Sequence, residues 1–199
     1  MTKQLNSQYY IITRENNDNY PLLCESSESD DDYLKLIQKN RLSEETTLIF
    51  DVANPKVSQP EFVDYHSLPE PVISKTIASI IAKKSLPYIQ LIPTEIRYKN
   101  ILHKDYYYLH VLNEIECLNA AATDCDEDDG EYELETLVLD EKKLSKIKEK
   151  NRLLFYLKED VSPKDCIIHE SLVNEIIDTD PKGIQFISLP EWSIDCDFN

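Results

Sequence analysis

Ser74-Lys75-Thr76-Ile77-Ala78-Ser79-Ile80-Ile81-Ala82-Lys83-Lys84, then Pro87, then Tyr88-Ile89-Gln90-Leu91-Ile92, sets a helix directly before a strand. Ile73, Ile77, Ile80 and Ile81 recur at helical spacing. Ser74 stands where a cap is wanted, and Lys83 and Lys84 suit the negative end of the helix dipole. Pro87 stops the helix, because proline lacks the N–H that would continue it. The apolar, β-branched run after it predicts a strand, and so does the tyrosine-rich segment from Asp105 to Leu112.

On the N-terminal side, Tyr9-Tyr10-Ile11-Ile12 predicts a strand that ends in the turn chemistry of Arg14 to Asn19, and Leu48-Ile49-Phe50 predicts another. Tyr33 to Ile37 has no clear period. Pro55, Pro60, Pro69 and Pro71 argue against continuous helix or central strand in their interval. On the C-terminal side, Leu134 to Leu139 reads as a strand, Asp140 as the cap of a short helix over Glu141 to Ile147, and Leu153 to Leu157 and Cys166 to Ile168 as strands. Leu172, Val173, Ile176 and Ile177 share a helical face, Pro181-Lys182-Gly183 breaks that helix, and Ile184 to Leu189 closes the chain as a strand. Helices and strands mix without regular βαβ alternation. The expected fold is α+β, with a mixed, largely antiparallel sheet and a few packed helices, built as a single domain over residues 1–199.

Composition narrows the function. The chain has 199 residues, only two glycines, and 38 acidic against 21 basic residues, for a net charge of -17. Neither GxGxxG nor GxxxxGK[ST] can be written with Gly130 and Gly183 alone, which excludes those nucleotide-binding loops. Phosphate binding needs clustered Lys and Arg, so nucleic acid is not the expected partner. The N-terminus lacks the apolar run of a secretory signal and no long apolar segment occurs, so a cytoplasmic protein with no membrane association is expected. Cys24, Cys117, Cys125, Cys166 and Cys196 are odd in number and never spaced as CxxC; reduced thiols, mostly filling the core, are expected.

The charge is concentrated. Glu25 to Asp32 holds five acids (Glu25, Glu28, Asp30, Asp31, Asp32) and Asp124 to Glu135 holds eight (Asp124, Asp126, Glu127, Asp128, Asp129, Glu131, Glu133, Glu135), with no base in either. These 20 residues carry 13 of the 17 net negative charges. Like charges repel, so both runs should lie in solvent as loops or exposed ends of elements, either as plain solvated surface or as a field that steers a basic partner. The candidate binding residues are therefore Asp30, Asp31, Asp32, Asp124, Asp126, Glu127, Asp128, Asp129, Glu131 and Glu133. Trp192 joins them as a candidate anchor in a partner's pocket, against the alternative of a tail tucked on its own domain. Asp124, Asp126, Asp128 and Glu135 fit four positions of a calcium loop, but Asp129 occupies the place of the required glycine and a strand follows where a helix should.

No catalytic motif emerges. His66, His103, His110 and His169 form no HExxH, there is no GxSxG, and Cys117 sits beside Glu116, where a thiolate is disfavoured. Tyr106-Tyr107-Tyr108 reads as sheet packing in preference to a base-stacking platform. No catalytic residue, metal or cofactor is assigned.

A series of blocks then carries a resemblance: Val72-Ile73-Ser74; Ile92-Pro93; Tyr107 to Asn113 with Glu116-Cys117-Leu118-Asn119; Leu137-Val138-Leu139-Asp140 with Leu144; Arg152 to Phe155; Ile168 to Leu172; and Lys182 to Phe186. In this order they resemble the eleventh family of immunity proteins of bacterial polymorphic toxin systems, over a region taken as residues 63–190. Residues 1–62 form an N-terminal lobe without a counterpart. The family tends to show an aspartate followed four residues later by a serine, where this chain has Asn119 and Thr123. The resemblance implies a non-enzymatic protein that binds and occludes a cognate toxin domain, a basic one given the acidic surface. It also implies that Phe155 is the core residue of one strand, Phe186 the core residue of the last strand, and Gly183 a helix C-cap. An acidic adaptor or chaperone, a nucleic-acid mimic and a metal-dependent hydrolase are the alternatives.

Overall fold

The computed structural model describes residues 4–53, 59–67, 71–128, 131–160, 166–194 and 196. In chain order the elements are β1 (Tyr9–Arg14), β2 (Leu23–Glu25), α1 (Asp30–Ile37), β3 (Leu48–Val52), β4 (Tyr65–Ser67), β5 (Pro71–Ser74), α2 (Lys75–Lys83), β6 (Ile89–Tyr98) and β7 (Ile101–Val111). Then follow β8 (Glu114–Ile115), β9 (Cys125–Asp128), β10 (Glu131–Leu134), α3 (Glu141–Ser145), β11 (Leu154–Leu157), β12 (Ile167–His169), α4 (Glu170–Ile177) and β13 (Ile184–Ser188). The fold is α+β, with mixed, mostly antiparallel sheets and packed helices. Among the described residues no helix is long and apolar enough to cross a membrane.

Two compact units share the chain. Residues 1–13, 113–177 and 185–199 make the first, and 14–112 with 178–184 make the second. This division follows contacts, whereas the boundary at 62/63 follows the extent of the family resemblance; the two fall at different places.

The second unit holds a six-stranded sheet in the order β2-β3-β6-β7-β5-β4. Its centre is the long β6–β7 hairpin, closed at Lys99 and Asn100, both with positive φ (47° and 65°). The expected strand from Tyr88 to Ile92 continues to Tyr98, through Pro93. Proline is tolerated there because the β3 ladder begins only at Thr94, so no bond from residue 93 is needed on that side. Leu48, Phe50 and Val52 alternate inward from β3 and pack with Tyr33 and Leu36 of α1, Val72, Ile92, Ile96 and Tyr108. The sequence hides α1 because only Tyr33 and Leu36 are buried while Leu34 and Ile37 are exposed, which blurs the apolar period. β4 and β5 both form within the proline-bearing interval, Pro71 taking the first position of its strand, where a missing N–H is tolerated. Ser74 occupies the N-cap of α2, but its side chain makes no capping bond.

The first unit contains the five-stranded sheet β13-β1-β12-β11-β8 and the separate hairpin of β9 and β10. Its core gathers Tyr9, Ile11, Cys117, Leu134, Leu139, Leu144, Phe155, Ile167, Leu189 and Trp192. The expected strand over Leu134 to Leu139 ends at Leu134; beyond it only single bridges remain, Thr136 to Ser193 and Leu139 to Leu118. Asp140 caps α3 as expected, accepting from the Lys142 and Lys143 amides at 2.9 and 3.1 Å.

Gly183 is not a helix cap. It lies well past the end of α4 at Ile177, and its φ is +78°. A Cβ there would collide with Val63 Cγ2 and lie 2.7 Å from Val63 Cβ, so close packing and backbone sign both demand glycine.

Candidate functional site: an acidic hairpin and a cleft lined by Tyr132

The second acidic run is a ladder. Asp128 pairs with Glu131, Glu127 with Tyr132, Asp126 with Glu133 and Cys125 with Leu134. Because successive pairs alternate in face, the register puts positions Asp126, Asp128, Glu131 and Glu133 on one face of the hairpin. Its base is closed by Asp124, whose carbonyl accepts from the Glu135 and Thr136 amides at 2.9 and 3.1 Å and whose amide donates to Thr136 Oγ1 at 3.0 Å. Asp129 lies outside the described residues. The run, expected as loops or exposed ends of elements, is a two-stranded ladder, and it forms because the other face carries an apolar set: Leu134 is buried in the core of the first unit, and Cys125 and Tyr132 pack against it. The signal for it is Asp129-Gly130, an Asp-Gly pair between two short runs, which is a strong local hairpin cue. A calcium loop would wrap this backbone around an ion, whereas residues 125–128 pair with 131–134. Among the described residues no group of three His, Cys, Asp or Glu is placed to hold a metal ion.

The first run belongs to the other unit and is engaged in local structure. Asp30, Asp31 and Asp32 fill the first turn of α1, where carboxylates offset the helix dipole, and Asp32 pairs with Lys35 at 2.7 Å. Glu28 meets Arg97 at 2.5 Å, and Arg97 also forks onto Asp51 at 2.6 and 2.8 Å and reaches Ser26 Oγ at 2.9 Å. The bonds from Arg97 hold the Asp51 carboxyl below its ordinary range. Trp192 is 5% exposed and part of the core of the first unit, so it is a tucked tail and not an exposed anchor.

A cleft of about 440 Å³ opens in the first unit, lined by Glu116, Leu118, Ala120, Tyr132, Lys143, Lys158 and Glu159. Lys143 contacts Glu116 at 3.3 Å. Glu159 Oε1 accepts the Leu118 amide at 3.0 Å, while its Oε2 is buried with no hydrogen-bond partner among the described residues. Tyr132 ties the hairpin to this wall, its amide donating to the Glu159 carbonyl at 3.2 Å. Cys117 is fully buried, and desolvation, with the Glu159 charge adding to it, pushes its thiol up to about 12, so it is no nucleophile. Glu159 and Tyr132 have no motif to reveal them in the sequence.

The histidines are held by packing. His103 stacks on Phe62 with ring centroids 3.8 Å apart, His110 donates to the Asn40 carbonyl at 3.0 Å, and His169 lies between Ser171 and Gln8. His66 is buried and donates Nδ1–H to the Pro21 carbonyl at 3.2 Å. No disulfide joins the described cysteines, but only Cys117 and Cys166 are buried; Cys24 is exposed, which corrects the expectation of mostly core thiols.

No protein-family model and no curated protein matches the chain.

Proposed function

We propose that this protein is a non-catalytic, immunity-type inhibitor that docks on a basic domain of a secreted bacterial toxin and occludes it. The observation that carries the reading is the hairpin register, which sets Asp126 opposite Glu133 and Asp128 opposite Glu131. Like charges directly opposite weaken a ladder by some tenths of a kcal/mol per pair, roughly 0.2–1 kcal/mol. A basic partner turns that repulsion into attraction and accelerates encounter. The hairpin is the leading contact, since the acids of the first run already serve α1 and Arg97. Action in the cytoplasm accords with the lack of disulfides among the described cysteines.

The test is co-expression with the product of the neighbouring gene. The reading expects co-purification and restored growth, and it expects the quadruple change of Asp126, Asp128, Glu131 and Glu133 to Lys to slow association and flatten its salt dependence. Failure to co-purify, or association rates indifferent to that change, would overturn it.

A further inference from the structure

We infer that Lys142 to Lys150 forms a basic ridge that receives a short acidic segment of a protein partner. From Lys142 to Arg152 the chain holds six bases and one acid, Glu149, although acids outnumber bases 38 to 21 in the whole sequence. Lys142, Lys143, Lys146, Lys148 and Lys150 are all exposed. Lys143 meets Glu116 at 3.3 Å, and the other four have no ion pair among the described residues. By contrast, Lys35, Lys75, Lys104 and Lys182 each lie within 3.1 Å of a carboxylate. The acids that adjoin the ridge are engaged: the Asp140 carboxylate caps α3, and Glu141 accepts from the Asn6 amide at 3.1 Å and from its Nδ2 at 3.3 Å.

The ridge is a fixed array. Asp140 caps its start, Leu144 is fully buried, and Ile147 packs against the same core. The Lys146 and Ile147 amides donate to the Lys143 and Leu144 carbonyls at 3.2 and 3.1 Å, and the Asn151 amide donates to the Lys148 carbonyl at 2.8 Å. Lys142 and Lys146 stand four residues apart on this helical turn, where like charges are neighbours and repel. An acidic partner relieves that repulsion, and it meets a backbone that is already ordered, so little ordering cost falls on this side.

The surroundings select the occupant. Binding to a lipid surface needs apolar side chains beside the lysines, but the large aliphatic residues of the ridge, Leu144 and Ile147, are turned to the core. Single-stranded nucleic acid is held by aromatic platforms as well as by charge, and residues 141–152 contain no aromatic side chain. A long polyanion also runs past the ridge onto a protein of net charge -17. A segment as short as the ridge escapes that repulsion, because at about 0.1 M salt exposed charges more than about 10 Å away are largely screened.

The ridge has the opposite charge to the hairpin, so this inference stands apart from the docking reading and is tested on the whole protein alone. Tetraglutamate blocked at both ends, titrated at about 0.1 M salt and followed by backbone amide NMR, is expected to shift resonances within residues 141–152. The shifts are expected to fade at about 1 M salt, where the screening length is about 3 Å. Changing Lys142, Lys146, Lys148 and Lys150 together to Gln is expected to weaken binding about tenfold, as the loss of several exposed ion pairs implies. The same four changed to Arg are expected to keep it, which separates loss of charge from loss of fold. Oligouridylate of about twenty residues is expected to bind no more tightly than tetraglutamate, since its added charges meet a negative surface. Tighter binding of the oligouridylate, absence of shifts, shifts centred outside the ridge, or undiminished binding by the Gln form would overturn the inference. So would self-association in sedimentation that the Gln form abolishes, because a second copy would then be the occupant.

Discussion

Replacing His66 with asparagine isolates a single buried titration. The ring is 3% exposed, and burial drives its pKa down from 6.5 to about 4, against weaker upward pulls from the Pro21 bond and the Asp64 charge. Geometry gives the reason: Nδ1–H is already used on Pro21, and Nε2 is buried without a partner among the described residues, so a second proton would bring an unpaired cation into the wall. The unfolded chain takes up that proton near pH 6.5 and the folded chain only near 4. Stability on this account is present above the unfolded value and is lost as pH falls toward the folded one. The slope is about 1.4 kcal/mol per pH unit, or about 3 kcal/mol over the whole window. Because the pI is about 4.6, the series is best stopped near pH 5, where about 2 kcal/mol of the difference has developed. The asparagine side chain keeps an N–H for the Pro21 carbonyl and has no titration of its own. Urea unfolding followed by circular dichroism from about pH 7 to about pH 5 is expected to give a steeper loss for the natural protein than for His66→Asn. Parallel slopes would refute the burial argument, whatever the absolute stabilities.

Gly183→Ala meets both a positive φ and the Val63 side chain, and it is expected to lower the urea midpoint by the equivalent of about 2 kcal/mol or more. Changing Lys99-Asn100 to Asn-Gly supplies the residues that a two-residue turn with two positive φ angles favours; a gain of about 1 kcal/mol is expected, read as a higher melting temperature. Arg97→Gln removes the fork onto Asp51 and the contact to Glu28; these are part-exposed, so only a small drop in the urea midpoint is expected, and Asp51 should then titrate nearer an ordinary aspartate by NMR. Under native alkylation with iodoacetamide, Cys24 is expected to react first and Cys117 only on unfolding, as peptide mass mapping would record.

Elements that bury one face along their whole length are legible in the sequence. α2 and α4 show it, as do the alternating β3 and the apolar β11, and Asp140 marks its helix by the chemistry of its own side chain. What stays hidden has mixed signals. α1 buries two residues and exposes two apolar ones, and β5 opens on Pro71, which takes the first position of its strand, where a missing N–H is tolerated. Charge masks the hairpin of β9 and β10, because repulsion between acids dominates the reading of the run and hides the apolar set of Leu134, Tyr132 and Cys125 within it. The site is half legible for the same reason. Charge marks the hairpin, but the cleft depends on Glu159 and Leu118, which are 41 residues apart and meet only through the fold.

β1 lies between β13 and β12 in its sheet, so both neighbours of the first strand arrive at the far end of the chain. At translation speeds of roughly 5–20 residues per second, Tyr9 leaves the ribosome on the order of ten seconds or more before the strands that flank it are made. A message cut short before residue 167 yields a polypeptide whose opening strand has no one to pair with. Completion of the hairpin's supporting core therefore waits until Ile167, Leu189 and Trp192 have been made.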